Sequence, residues 1–146
     1  MKRLIPLLSV FVLVGCAAPQ AQDAPEPDVE YYPFGGSAPL SEAVRVGDMI
    51  YLSGKLGLSR DGEQGIQAET RRTMEAIKSS LEEKGSSMAH VVKCTVFLAD
   101  MAEWGAMNEI YREYFPENPP ARSAVGVNGM AGNARVEIEC MATTGS

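Results

Sequence analysis

The chain has 146 residues, enough for one ordinary domain, and with 45% hydrophobic, 22% charged and 7% aromatic residues its make-up is globular. The formal net charge is −6, and −8 once the first fifteen residues, with Lys2 and Arg3, are set aside. So acidic a chain, with no basic stripe, argues against nucleic acid as a partner, because phosphates need Lys and Arg to neutralise them. One histidine and no C-x-x-C argue against a Cys/His zinc site, and no metal is expected.

Residues 1–15 carry Lys2-Arg3 and then a short apolar run from Leu4 to Val14. This is the order of a signal peptide, and the run is too short to span a bilayer comfortably. Leu13-Val14-Gly15-Cys16 resembles the bacterial lipobox, which implies cleavage before Cys16 and acylation of that cysteine. The expected location is the cell envelope, as a periplasm-facing lipoprotein held to the membrane only through its lipid. Ala17 after the cysteine, where Asp would signal inner-membrane retention, points to the outer membrane if the cell is Gram-negative. Residues 16–33 are rich in proline and acids and read as a linker, with the folded domain spanning 34–146.

Within the domain, Gly47-Asp48 is a turn between two strands, with Val44, Val46, Ile50 and Leu52 expected inward. Ile66, Thr70, Thr73, Ile77 and Leu81 recur at helical spacing, and Gly85 ends that helix. Val91 to Leu98 is a strand with Val92, Cys94, Val96 and Leu98 on its inner face. Asp100 and Glu103 have capping-box spacing ahead of a second helix, whose apolar stripe is Trp104, Met107, Tyr111 and Tyr114. Pro116, Pro119 and Pro120 stop it, and two strands follow. The order β-β-α-β-α-β-β predicts an α+β domain with two helices on one face of a mixed, mostly antiparallel sheet. Cys94 and Cys140 both read as inward strand positions and are taken as buried thiols, with pairing left open because spacing alone does not place their Cα atoms.

Strand alternation groups Ser123, Val125 and Val127 on one side of the penultimate strand and Arg122, Ala124 and Gly126 on the other. In the last strand Val136, Ile138 and Cys140 oppose Glu137 and Glu139. With the apolar sets inward, Arg122 and Glu137 are expected on one face, away from the core. Arg122 then either pairs with Glu137 or Glu139 as a structural ion pair or serves as a carboxylate anchor.

Four stretches decide between these. They are Pro39 to Gly47, Ile50-Tyr51-Leu52-Ser53-Gly54, Val91 to Tyr111, and Pro120-Ala121-Arg122-Ser123 with Val136-Glu137-Ile138-Glu139. In order and spacing they resemble the Rid family, the YjgF-type reactive-intermediate deaminases. The resemblance implies a chorismate-mutase-like α+β fold, a homotrimer with sites between subunits, and hydrolysis of enamines and imines such as 2-iminopropanoate to 2-oxo acids and ammonia. It implies no cofactor. Arg122 would anchor the substrate carboxylate, and Glu137 would position water or relay a proton. Leu40, Ser53, Gly54, Asn108 and the Ala124 backbone N–H would line the substrate. Four residues depart from the family pattern: Leu40 where an aromatic is common, Lys55 where Gln is common, Gly57 where Pro is common, and Ala124 where Cys is frequent. A non-catalytic ligand-binding or scaffold lipoprotein on the same fold is the competing reading.

Overall fold

In the computed structural model, which describes residues 26–145, the chain enters the sheet earlier than its proline content suggests. Val29–Pro33 form strand β1, antiparallel to β2 (Ser41–Val46). The leader, Cys16 and the first part of the linker lie outside the described residues. Tyr32 pairs with Ala43 but Pro33 with Ser41, so Glu42 is an extra residue in β2. Such a bulge re-aims a side chain, and Glu42 turns toward the first helix.

Gly47, at φ +56°, closes a tight turn into β3 (Met49–Leu52). This turn pairs Val46 with Met49, Arg45 with Ile50 and Ala43 with Leu52. Paired residues face the same side, so Ala43, 1% exposed, joins Ile50 and Leu52 in the core. The expected inward placement of Val44 and Val46 is corrected by that register: they share the opposite face with Tyr51.

A short strand, β4 (Lys55–Leu56), precedes α1 (Ile66–Glu83). Ile66, Thr70, Thr73, Met74, Ile77 and Leu81 are buried along one stripe of that helix, and the Thr70 hydroxyl is satisfied by donating to the Ile66 carbonyl. Gly85, at φ +75°, ends the helix as its spacing predicted, and Ser86 N–H returns to Leu81 O. In β5 (Val91–Leu98) the pairing skips Val92, so Val91 is buried while Val92 is 44% exposed. The bulge thus removes Val92 from the expected inner set. Helix α2 (Trp104–Tyr111) buries Met107, Ile110 and Tyr111, whereas Trp104, expected in its core stripe, is 45% exposed.

Strands β6 (Ala121–Gly126) and β7 (Val136–Thr143) complete a sheet of order β1-β2-β3-β7-β5-β6, with β4 also on β7. Among the described residues only β5 and β6 run parallel, α2 lying in the crossover between them. Both helices pack on one face of this mixed sheet, as expected. Cys94 and Cys140 sit directly opposite on β5 and β7 with Cα atoms 4.1 Å apart, and they are joined as a disulfide. The expectation of free thiols is corrected: cross-strand pairing supplies the proximity that linear spacing does not show.

The parallel register also corrects the placement of Arg122. Cys94 pairs with Arg122, Val96 with Ala124 and Leu98 with Gly126. Arg122 and Ala124 therefore lie on the helix-covered side, and Ser123 and Val125 face outward. Glu137 pairs with Phe97 and Leu56 on the other face. The two residues expected to share a face are separated by the sheet.

Candidate functional site

Pro119-Pro120 lead the chain in extended form into β6, and Arg122 then projects beneath the end of α2. Its guanidinium carbon lies 4.6 Å from the centre of the Tyr111 ring, a cation–π contact worth roughly 0.5–2 kcal/mol. The contact fixes the guanidinium without neutralising it. Burial pushes the Tyr111 phenol up to about 12, against the opposing pull of Arg122, so the ring stays protonated. Among the described residues no carboxylate lies within ion-pair distance of Arg122, and the structural ion pair with Glu137 or Glu139 is not formed. Arg122 opens instead into a groove of about 500 Å³ shared with Trp104, Asn108 and Arg112. A fixed, unpaired guanidinium in a groove is a receiver for a carboxylate.

Glu137 belongs to a different setting. Ser53-Gly54 forms the break between β3 and β4, both of which pair with β7. A Cβ at residue 54 would fall on the Glu137 carboxylate, so only glycine admits the carboxylate there. Ser53 is held by its N–H to Glu42 O at 3.0 Å and by its hydroxyl to Ser41 O at 2.6 Å. Leu40, immediately before Ser41, is exposed. A second hollow of about 350 Å³ on this face is lined by Glu137, Phe97 and the loop of Val127 and Met130.

The Ser53-Gly54 break is braced from below. Glu42 accepts from Lys55 Nζ at 2.9 Å, from Lys84 Nζ at 2.9 Å and from Ser80 Oγ at 2.6 Å. Burial raises its pKa, but these three donors outweigh that and hold the carboxyl at about 2. Lys55, a departure from the family pattern, is thus one cation of a clamp joining β2, β4 and α1 rather than a free amine at the site. The side chain of Lys84 is almost fully buried and also lies over Tyr32.

The structure therefore brings Arg122 together with Asn108, and Glu137 together with Gly54 beside Ser53, in two settings on opposite faces. Ala124 turns its side chain inward against the core, leaving only its backbone to offer. Trp104, Tyr111 and Arg112 were not picked out from sequence as site residues. Arg112 follows Asn108 by one helical turn, a spacing that places both on one helix face, and this was the available signal. Tyr111 and Trp104 have the spacing of core residues and carry no such mark.

Comparison with known proteins agrees with this architecture. Residues 34–144 match the family described as Endoribonuclease L-PSP. A RutC family protein of Pyrococcus abyssi is 41% identical over 110 residues, covering 71% of this chain and 85% of that protein. A mouse protein named 2-iminobutanoate/2-iminopropanoate deaminase is 40% identical over 111 residues, covering 73% of this chain and 82% of its own length. The crystal structure of yeast Mmf1 superposes with a TM-score of 0.73 at 28% identity, over 81% of this chain and all of that one. The chain belongs to the Endoribonuclease L-PSP family, the YjgF/Rid group that its motifs resemble.

Proposed function

We propose that this protein hydrolyses small 2-imino acids and their enamine tautomers to 2-oxo acids and ammonia. The observation that carries the reading is Arg122, a guanidinium fixed over Tyr111 and left without a carboxylate in an open groove. A relative 40% identical, named 2-iminobutanoate/2-iminopropanoate deaminase, supports the same chemistry. Arg122 binds the substrate carboxylate through two parallel N–H donors. Glu137 takes a proton from water as the water oxygen adds to the imine carbon. That proton passes to nitrogen to give a carbinolamine. Glu137 then takes the hydroxyl proton and returns it to nitrogen, the C–N bond breaks, and ammonia leaves as the carbonyl forms. Asn108, Ser53 and the Ala124 backbone N–H orient the substrate, and Leu40 forms an apolar wall.

One chain holds each half of this machinery on a separate face, so the reading requires that Arg122 of one copy meet Glu137 of another. A homotrimer with sites between subunits meets this requirement. Exposed Tyr31, Tyr51 and Val125 on the helix-free face supply apolar surface for such contacts. The leader and Cys16 support a lipoprotein of the cell envelope, and the Cys94–Cys140 disulfide suits an oxidising compartment.

The test generates 2-iminopropanoate with an amino-acid oxidase and follows its decay with and without the protein. Acceleration that drops about a hundredfold in Arg122→Ala is expected from loss of a bidentate charge-assisted contact. No acceleration, or equal acceleration by the variant, would leave a ligand-binding lipoprotein as the better reading.

A further inference from the structure

The Arg122 groove contains a second cation that anchoring one carboxylate does not require. Arg112, just past the end of α2, lines the same groove, and its Nε donates to the Asn108 carbonyl at 3.2 Å. That bond orients the guanidinium, while its two terminal nitrogens make no hydrogen bond or ion pair with any described residue. The neighbouring acids are committed elsewhere. Glu113 receives both terminal nitrogens of Arg71, at 2.7 and 3.0 Å, and Glu109 accepts from Gln67 at 2.7 Å. Both contacts turn these acidic side chains, one in α2 and one just past it, toward α1 and away from the groove. In a chain of net charge −6, the lining of this groove contains two arginines and no acid. Trp104 and Pro119-Pro120 supply its apolar wall.

We propose that Arg112 is a specificity-determining residue that selects substrates with a second anionic group, the 2-imino dicarboxylates, over 2-iminopropanoate. Arg122 takes the carboxylate next to the imine, and Arg112 takes the distal one. The inference rests on the reading of Arg122 as carboxylate anchor. An arginine that only complements the C-terminal end of α2 would affect helix stability and not the choice of ligand.

The test has a binding arm and a turnover arm on the purified full chain. Binding of 2-oxoglutarate, oxaloacetate and pyruvate is measured by calorimetry for wild type, Arg112→Ala and Arg112→Lys. Wild type is expected to bind the dianions about tenfold more tightly than pyruvate. Arg112→Ala should abolish that ratio with pyruvate binding unchanged, and Arg112→Lys should restore part of it. Added salt should narrow the preference, because the distal contact is exposed. Turnover is then compared for imines generated from alanine and from glutamate, with the same ratio expected in kcat/KM. Turnover of 2-iminopropanoate with no preference for dianions overturns this inference and leaves the deaminase reading intact. Preference for dianions in binding, with turnover of neither imine, sinks the deaminase reading and supports this one. A lowered melting temperature in Arg112→Ala with an unchanged ligand ratio overturns it as well.

Discussion

Arg122 and Glu137 lie on opposite faces of one sheet, the first beside Cys94 and the second beside Phe97. A guanidinium and a carboxylate so placed do not act on one small substrate within a single chain. Their separation converts the functional reading into a statement about assembly, and that statement is testable by mixing variants.

Arg122→Ala and Glu137→Gln should each be inactive alone. Unfolded together at equal amounts and refolded, they should regain about a quarter of wild-type activity, because random assembly of a closed ring joins an intact Arg122 to an intact Glu137 in that fraction of sites. Folded trimers mixed without exchange should stay inactive. Absence of recovery in confirmed mixed assemblies would place the whole site within one chain or remove it, and a monomer in analytical ultracentrifugation would do the same.

Gly54→Ala should act through Glu137. The new Cβ occupies the space of the Glu137 carboxylate, so the carboxylate must move by about an ångström, and a displacement of that size costs about a hundredfold in rate. Pyruvate binding should fall far less than the rate, since its carboxylate is held by Arg122 of the neighbouring copy and not by Glu137. Equal loss of binding and rate would show that the substitution damages the fold rather than the position of the acid.

How much of this was readable beforehand depends on what each signal constrains. The helix Ile66–Glu83 and its stop at Gly85 follow from spacing and a left-handed glycine, both local properties. Alternation likewise established that Arg122 and Ala124 share one side of their strand. It carries no information on which side faces the helices. Val125 made the Ser123 side look inward, but β6 is an edge strand and leaves Val125 exposed. The parallel register with β5, a contact distant in sequence, decides the matter. The same limit hid the Cys94–Cys140 bridge and the bulges at Glu42 and Val92, each set by a partner strand. Arg112 was missed for another reason: a charged residue on a helix surface is ordinary until its neighbours' partners are known.

The clamp on Glu42 should appear in the pH dependence of stability. Its carboxyl is held at about 2, below the ordinary 4.5. A carboxyl depressed on folding contributes stability above its unfolded pKa and loses it as pH falls through the folded value. The contribution should therefore be complete above about pH 4.5 and lost by about pH 2. The side chain is still 24% exposed, and screening reduces the contribution to about 1–2 kcal/mol. Urea unfolding from pH 7 to pH 2.5 should show Glu42→Gln less stable at neutral pH and less sensitive to acid. Parallel stability curves for the two proteins would show that the clamp contributes nothing.

The Cys94–Cys140 bridge should be the largest single contribution that depends on compartment. It closes a loop with a sequence separation of 46 between central strands of the sheet, for which chain-entropy arguments give about 4 kcal/mol. A domain of this size has only about 5–15 kcal/mol in total, so the reduced protein should be markedly less stable. Both cysteines are buried, which should make reduction of the folded protein slow and reduction during unfolding fast. Cys94 and Cys140 of the oxidised protein should therefore resist alkylation until denatured with reductant, and the urea midpoint should fall when reductant is present. The Cys94→Ala/Cys140→Ala double variant should match the reduced protein and be indifferent to reductant. Alkylation of Cys94 and Cys140 in air-oxidised, denatured protein, or identical midpoints with and without reductant, would refute the bridge. They would also remove the structural support for placing this chain in an oxidising compartment.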